Sequence, residues 1–94
     1  MKYKDLARTF EILASKVPDG LVWDWAEHDE WGIGLNNIEL SPSEVRELAE
    51  MGWRLGSDSE YDEELMKAWE NPFEHTDEEL MEAFNEFKSI YKYA

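Results

Sequence analysis

His28 stands in the run Glu27-His28-Asp29-Glu30, where carboxylates flank an imidazole on both sides. A histidine in that setting can move protons or hold a metal ion. The other use of such a run is a solvated hairpin loop that needs no function. The second histidine, His75, lies in a separate loop, and no His-x-x-x-His pair exists. A transition-metal site would then rest on one histidine plus carboxylates, short of the usual ligand set. Asp58, Glu60, Asp62, Glu63 and Glu64 resemble a calcium loop by acidity alone. A glutamate stands at the third ligand position and no glycine at the sixth, so the spacing fails. Gly32-Ile33-Gly34 lacks the third glycine and the following helix of a phosphate-binding turn. The chain contains no cysteine, which removes disulfides, thiolate metal sites and cysteine nucleophiles. These residues assign no catalytic group, no metal and no cofactor, and the chain is read as a binding protein, not an enzyme.

Charge carries the stronger signal. The chain has 94 residues with 23 acids and 9 bases, a formal net charge of −14. That length predicts one compact domain spanning residues 1–94. The content of 43% hydrophobic and 14% aromatic residues is too rich for a disordered acidic tail. No apolar run approaches the roughly 18 residues of a membrane span, and no signal-peptide pattern opens the chain, so a cytoplasmic location is expected. The acidic balance disfavours direct contact with nucleic acid or anionic lipid. The excess is uneven. Residues 1–20 are near neutral at +1, residues 21–94 carry −15, and residues 58–86 hold 12 acids against the single base Lys67. That asymmetry predicts a charged face.

The elements follow from periodicity. Tyr3, Leu6, Ala7, Phe10, Leu13, Ala14 and Val17 recur at three- and four-residue steps, which predicts a helix over 2–17. Alternation of Leu21, Trp23 and Trp25, then of Trp31, Ile33 and Leu35, predicts a hairpin of strands 21–26 and 30–35. Gly32 and Gly34 share the opposite face of the second strand, which points to close approach by a neighbour or to a weak edge. Ser41-Pro42-Ser43-Glu44 is a capping box that opens a helix with apolar Val45, Leu48 and Ala49, ended by Gly52. Residues 53–55 suit a short third strand. A further helix is expected over 59–70, started by Ser57-Asp58-Ser59-Glu60. A last helix starts at Thr76-Asp77-Glu78-Glu79, with an apolar stripe of Leu80, Ala83, Phe84, Phe87 and Tyr91. The fold class is α+β: a small antiparallel β-hairpin or three-stranded sheet packed with about four α-helices.

Five tryptophans, four phenylalanines and four tyrosines are more than so small a core seals. One or two aromatics are therefore expected at the surface, as Trp69 or as Tyr91 or Tyr93. Interfaces favour such anchors. With the acids of the late segment, the candidate partner-binding set is Asp58, Glu60, Asp62, Glu63, Glu64, Trp69, Glu70, Glu74, Asp77, Glu78, Glu82 and Glu86.

Glu27-His28-Asp29-Glu30 with the alternating strand after it, Leu40-Ser41-Pro42, and Leu48-x-x-Met51-Gly52-Trp53 together resemble a pattern in small acidic proteins of bacteriophages and prophages. In kind, the short acidic chain also resembles phage inhibitors of host defence, including anti-CRISPR and anti-restriction proteins, several of which imitate nucleic acid. The resemblance implies a phage or mobile-element inhibitor in the host cytoplasm. Such a protein would block a basic nucleic-acid-binding surface of a host defence protein, as a monomer or weak homodimer. An immunity-type protein that neutralises a toxin or enzyme, or a phage assembly protein, are the alternatives.

Overall fold

Ser41 and Thr76 each open a helix in the way their sequence context predicts. The Ser41 hydroxyl accepts the Glu44 backbone N–H at 3.3 Å while the Glu44 carboxylate accepts the Ser41 N–H at 2.8 Å. The Thr76 hydroxyl accepts the Glu79 N–H at 3.2 Å and the Glu79 carboxylate accepts the Thr76 N–H at 3.0 Å. These reciprocal pairs satisfy backbone donors that the first helical turn otherwise leaves open. The computed structural model describes residues 1–19, 23–27, 30–35, 38–56 and 63–93. In chain order the elements are α1 (Tyr3–Lys16), β1 (Trp23–Glu27), β2 (Glu30–Gly34), α2 (Pro42–Glu50), β3 (Arg54–Leu55), α3 (Glu63–Glu70), a 3-10 turn (Pro72–Glu74), α4 (Asp77–Phe87) and β4 (Ser89–Tyr93). The fold is α+β, as expected. The start of the helix expected from 59, with its Ser57 cap, lies outside the described residues.

The strands form one antiparallel sheet in the order β1-β2-β4-β3. The C-terminal strand is the departure from the sequence reading, which continued the last helix through Tyr91. Lys88 takes a left-handed conformation (φ 53°, ψ 29°) and its N–H closes on Phe84 O at 2.8 Å. The chain then turns out of α4 directly into β4. Tyr91 suits both readings, because it continues the helical stripe and also alternates with Ile90 and Lys92. The pairing decides: β4 bonds to all five residues of β2 on one side and to Arg54 and Leu55 on the other. β2 is thus an interior strand, and Gly32 stands opposite Trp25 on β1 and Tyr91 on β4. This removes the weak-edge reading of the two glycines.

Ile33, Ile90 and Leu55 lie in register across the sheet and are all buried. Against this row pack Val45, Leu48 and Ala49 of α2, Leu80, Ala83, Phe84 and Phe87 of α4, and Ala68 and Trp69 of α3. α2 ends as expected at Gly52 (φ 104°), with the Gly52 N–H on Ala49 O and the Trp53 N–H on Leu48 O, a Schellman closure. A second glycine, Gly56, has the Tyr91 ring lying where a β-carbon would stand.

α1 is fastened to this core through one buried polar pair. Thr9 is fully buried, donates its hydroxyl proton to Asp5 O at 2.8 Å, and accepts the Trp53 indole N–H at 2.9 Å. Aromatic edges extend the joint, with Phe10 edge-on to Trp31 and Trp31 tilted on Trp53 at centroid distances of 6.1 and 5.8 Å. Thr9→Val keeps the shape and leaves the buried Trp53 N–H without that acceptor, so it should cost about 1–3 kcal/mol in urea unfolding. Stability within experimental error of wild type would show that the pair does not hold α1.

Candidate functional site

The three arginines and Lys16 stand in joints between elements. Arg8 on α1 donates to Glu47 on α2 at 2.6 and 3.0 Å and also pairs with Glu11. Lys16 at the end of α1 pairs with Glu44 at 3.0 Å. Arg46 on α2 donates to Pro72 O at 3.0 Å, to His75 O, and to the Asp77 carboxylate. Arg54 on β3 pairs with Glu70 at the end of α3 at 2.8 Å. All three arginines of the chain are used in this way.

The acids outside these joints define the face. Glu78, Glu82 and Glu86 follow at four-residue steps along α4, all exposed, and line an open depression of about 470 Å³ with Met81 and Pro42. Glu74 is exposed on the 3-10 turn just before them. None of these four has an ion-pair partner among the described residues. Four-residue spacing puts the backbones of Glu78, Glu82 and Glu86 about 6 Å apart on one side of the helix.

Next to Glu74 stands Phe73, 79% exposed. It borders a groove of about 350 Å³ between the end of α2, β3, the end of α3 and the 3-10 turn. Glu50, Glu70, Glu74 and Arg54 supply the polar lining. An exposed phenyl ring rimmed by carboxylates has the makeup of an interface anchor with a polar rim.

The sequence-derived set is therefore rearranged. Trp69 is 1% exposed; its ring stacks on Phe84 and its indole N–H donates to Leu80 O at 3.0 Å. It belongs to the core, because that position buries the whole ring and also satisfies its one polar atom. Tyr91 is half-buried, and the exposed aromatics among the described side chains include Tyr3 and Phe73. Glu70 and Asp77 serve in joints, while Glu78, Glu82 and Glu86 line one exposed face of α4 and Glu74 is exposed on the preceding turn. Glu63 and Glu64 are placed only as backbone of α3. Asp58, Glu60 and Asp62 lie outside the described residues, as do His28 and Asp29. Phe73 was missed, although its place after the helix-stopping Asn71-Pro72 was a signal: a large apolar residue in a polar turn has little core to enter.

Among the described residues no group of three potential metal ligands is found, and no helix is long and apolar enough to cross a membrane. Comparison with protein-family models, with curated proteins and with solved structures found no match.

The joints set the acid response. Arg8 hydrogen bonds hold the Glu47 carboxyl below its ordinary range, against partial burial. Burial pushes Glu44 up, but the Ser41 N–H and Lys16 outweigh it and leave that carboxyl lowered as well. A lowered folded-state pKa gives stability that is complete above the unfolded value of about 4.3 and is lost as pH falls through the folded value. Glu47→Gln should accordingly flatten the loss of stability below about pH 4.3 relative to wild type, measured by urea midpoints across the acid range. Identical acid limbs would contradict a stabilising Arg8–Glu47 joint.

Proposed function

We infer that the protein acts by stoichiometric binding: its acidic α4 face covers the basic, nucleic-acid-binding surface of another protein, with Phe73 as the apolar anchor. The observation that carries this reading is the row of exposed α4 carboxylates with no ion-pair partner among the described residues, directly preceded in the chain by the turn that bears the exposed Phe73 ring. In the finer form the protein is a phage or mobile-element inhibitor, and its partner is a host defence protein.

A magnitude decides how the face works. From Glu78 to Glu86 the helix rises about 12 Å, a length over which duplex DNA carries about seven charges. The strip supplies three carboxylates, so α4 alone does not reach the charge density of a duplex. Charge then serves encounter and orientation, and residence depends on apolar contact at Phe73. A chain that sealed its aromatics and scattered its acids would support only a solubilising role for the charge.

The test is capture of partners from a host extract at low and high salt, with identification by mass spectrometry and competition by duplex DNA. Captured proteins should be basic and bind nucleic acid, and both salt and DNA should release them. Phe73→Ala should weaken capture while shifting stability by no more than about 0.5 kcal/mol, as for an exposed side chain. Charge reversal at Glu74, Glu78 and Glu82 together should abolish it. Capture that survives high salt, or that neither variant weakens, would overturn the reading.

A further inference from the structure

α1 carries an apolar stripe that the domain covers only in part. Its core side uses Leu6, Thr9, Ile12 and Leu13, of which the last three are buried. Beside it Tyr3 is exposed at 92% together with Ala7 and Ala14, Phe10 stays 39% exposed while its ring packs edge-on to Trp31, and Val17, the cap residue just past α1, is exposed at 37%. Their steps of four, three, four and three residues are those of a helix–helix seam. At 100° per residue the stripe lies beside the core side, so the apolar arc of α1 is wider than its own domain fills.

We propose that this stripe is the seam of a symmetric antiparallel dimer, in which α1 of one copy packs on α1 of a second. Charge selects a second copy as the occupant. Two chains of net charge −14 repel over most of their surfaces, whereas residues 1–20 carry +1. α1 is the face on which like copies approach with least repulsion. The seam is also self-complementary, as a two-fold interface requires. With Phe10 opposite Phe10 at the centre, Tyr3 meets Val17, and Ala7 and Ala14 lie within one residue of level with each other.

The ends match as well. Lys2 and Lys4 are exposed at the N-terminal end of α1 and have no ion pair among the described residues. A positive charge is poorly placed at its own helix start. Antiparallel packing carries both lysines to the C-terminal end of the other helix, near exposed Asp19, and the Lys16 that stands there is already paired with Glu44 at 3.0 Å, so the sign is favourable. Five seam residues per copy are fewer than the roughly 20–30 a side of a standard interface, so the dimer is a weak, concentration-dependent one.

This surface is separate from the α4 face, and salt distinguishes the two. Screening removes the repulsion between two −14 chains and leaves the apolar seam intact, so dimerisation strengthens with salt. Attraction of a basic partner to α4 weakens with salt. The experiment is sedimentation equilibrium of the full chain from about 0.01 M to about 1 M salt, over which the Debye length falls from about 30 Å to about 3 Å. A monomer–dimer equilibrium that tightens along this series is expected. Tyr3→Glu puts a charge in the seam at a side chain that is almost wholly exposed, and it should weaken association about tenfold or more. Circular dichroism confirms that the variant is folded. Reversal of the α4 acids should leave the salt-screened dimer unchanged. A chain that stays monomeric at every salt concentration, or a folded Tyr3→Glu that associates like wild type, overturns the proposal.

Discussion

The guanidinium of Arg46 reaches from α2 across to Pro72 O, His75 O and the Asp77 carboxylate. Its planar fork suits several acceptors at once. Through it, one side chain fixes both ends of the 3-10 turn and the first turn of α4, and so sets where Phe73, Glu74 and Glu78 stand. Arg8 and Arg54 do comparable work at the α1–α2 and β3–α3 joints. A chain with 9 bases and 23 acids cannot both fasten its elements in this way and neutralise its surface. The bare carboxylates on α4 are the complement of the fastened joints, and the self-repulsion they impose is offset by the core beneath.

That core is organised by its aromatics. Trp53 is held by Thr9, and Trp69 by Leu80 O and the Phe84 ring. Trp31 bridges Phe10 and Trp53. The buried indole N–H groups of Trp53 and Trp69 each have an acceptor, which is why these rings can sit inside so small a domain without a polar penalty. Phe73 has no such place, because the Asn71-Pro72 stop turns the chain outward before α4 begins. The exposed ring therefore follows from chain geometry, and Glu50 and Glu74, which share its groove with the paired Arg54 and Glu70, make the surroundings acidic.

Local signals were readable wherever backbone chemistry marks them. Ser41 with Glu44, Thr76 with Glu79, Gly52 after α2, and the alternation around Trp23 to Leu35 all announced the elements that form. β4 was hidden because no glycine or proline separates it from α4. The break falls on Lys88, a residue type that seldom takes a left-handed conformation, and Tyr91 fits helical and strand periods alike. Whether a given aromatic is anchor or core depends on non-local packing, which composition does not encode; for that reason Trp69, expected at the surface, is core, and Phe73, not singled out from the sequence, is exposed. The pairing of acids has the same origin. Asp77 and Glu78 are neighbours in sequence, yet Arg46 takes one and leaves the other outward.

The central claim is that the joints take up all three arginines and leave the α4 carboxylates without a compensating base among the described residues. The direct measurement is relaxation of backbone amide protons by a cationic paramagnetic cosolute, referenced to a neutral analogue of the same size. The account predicts the strongest cation enrichment at the outward positions of residues 74–86, and the weakest along α1. Even enrichment over the whole surface, or a maximum on α1, would contradict it.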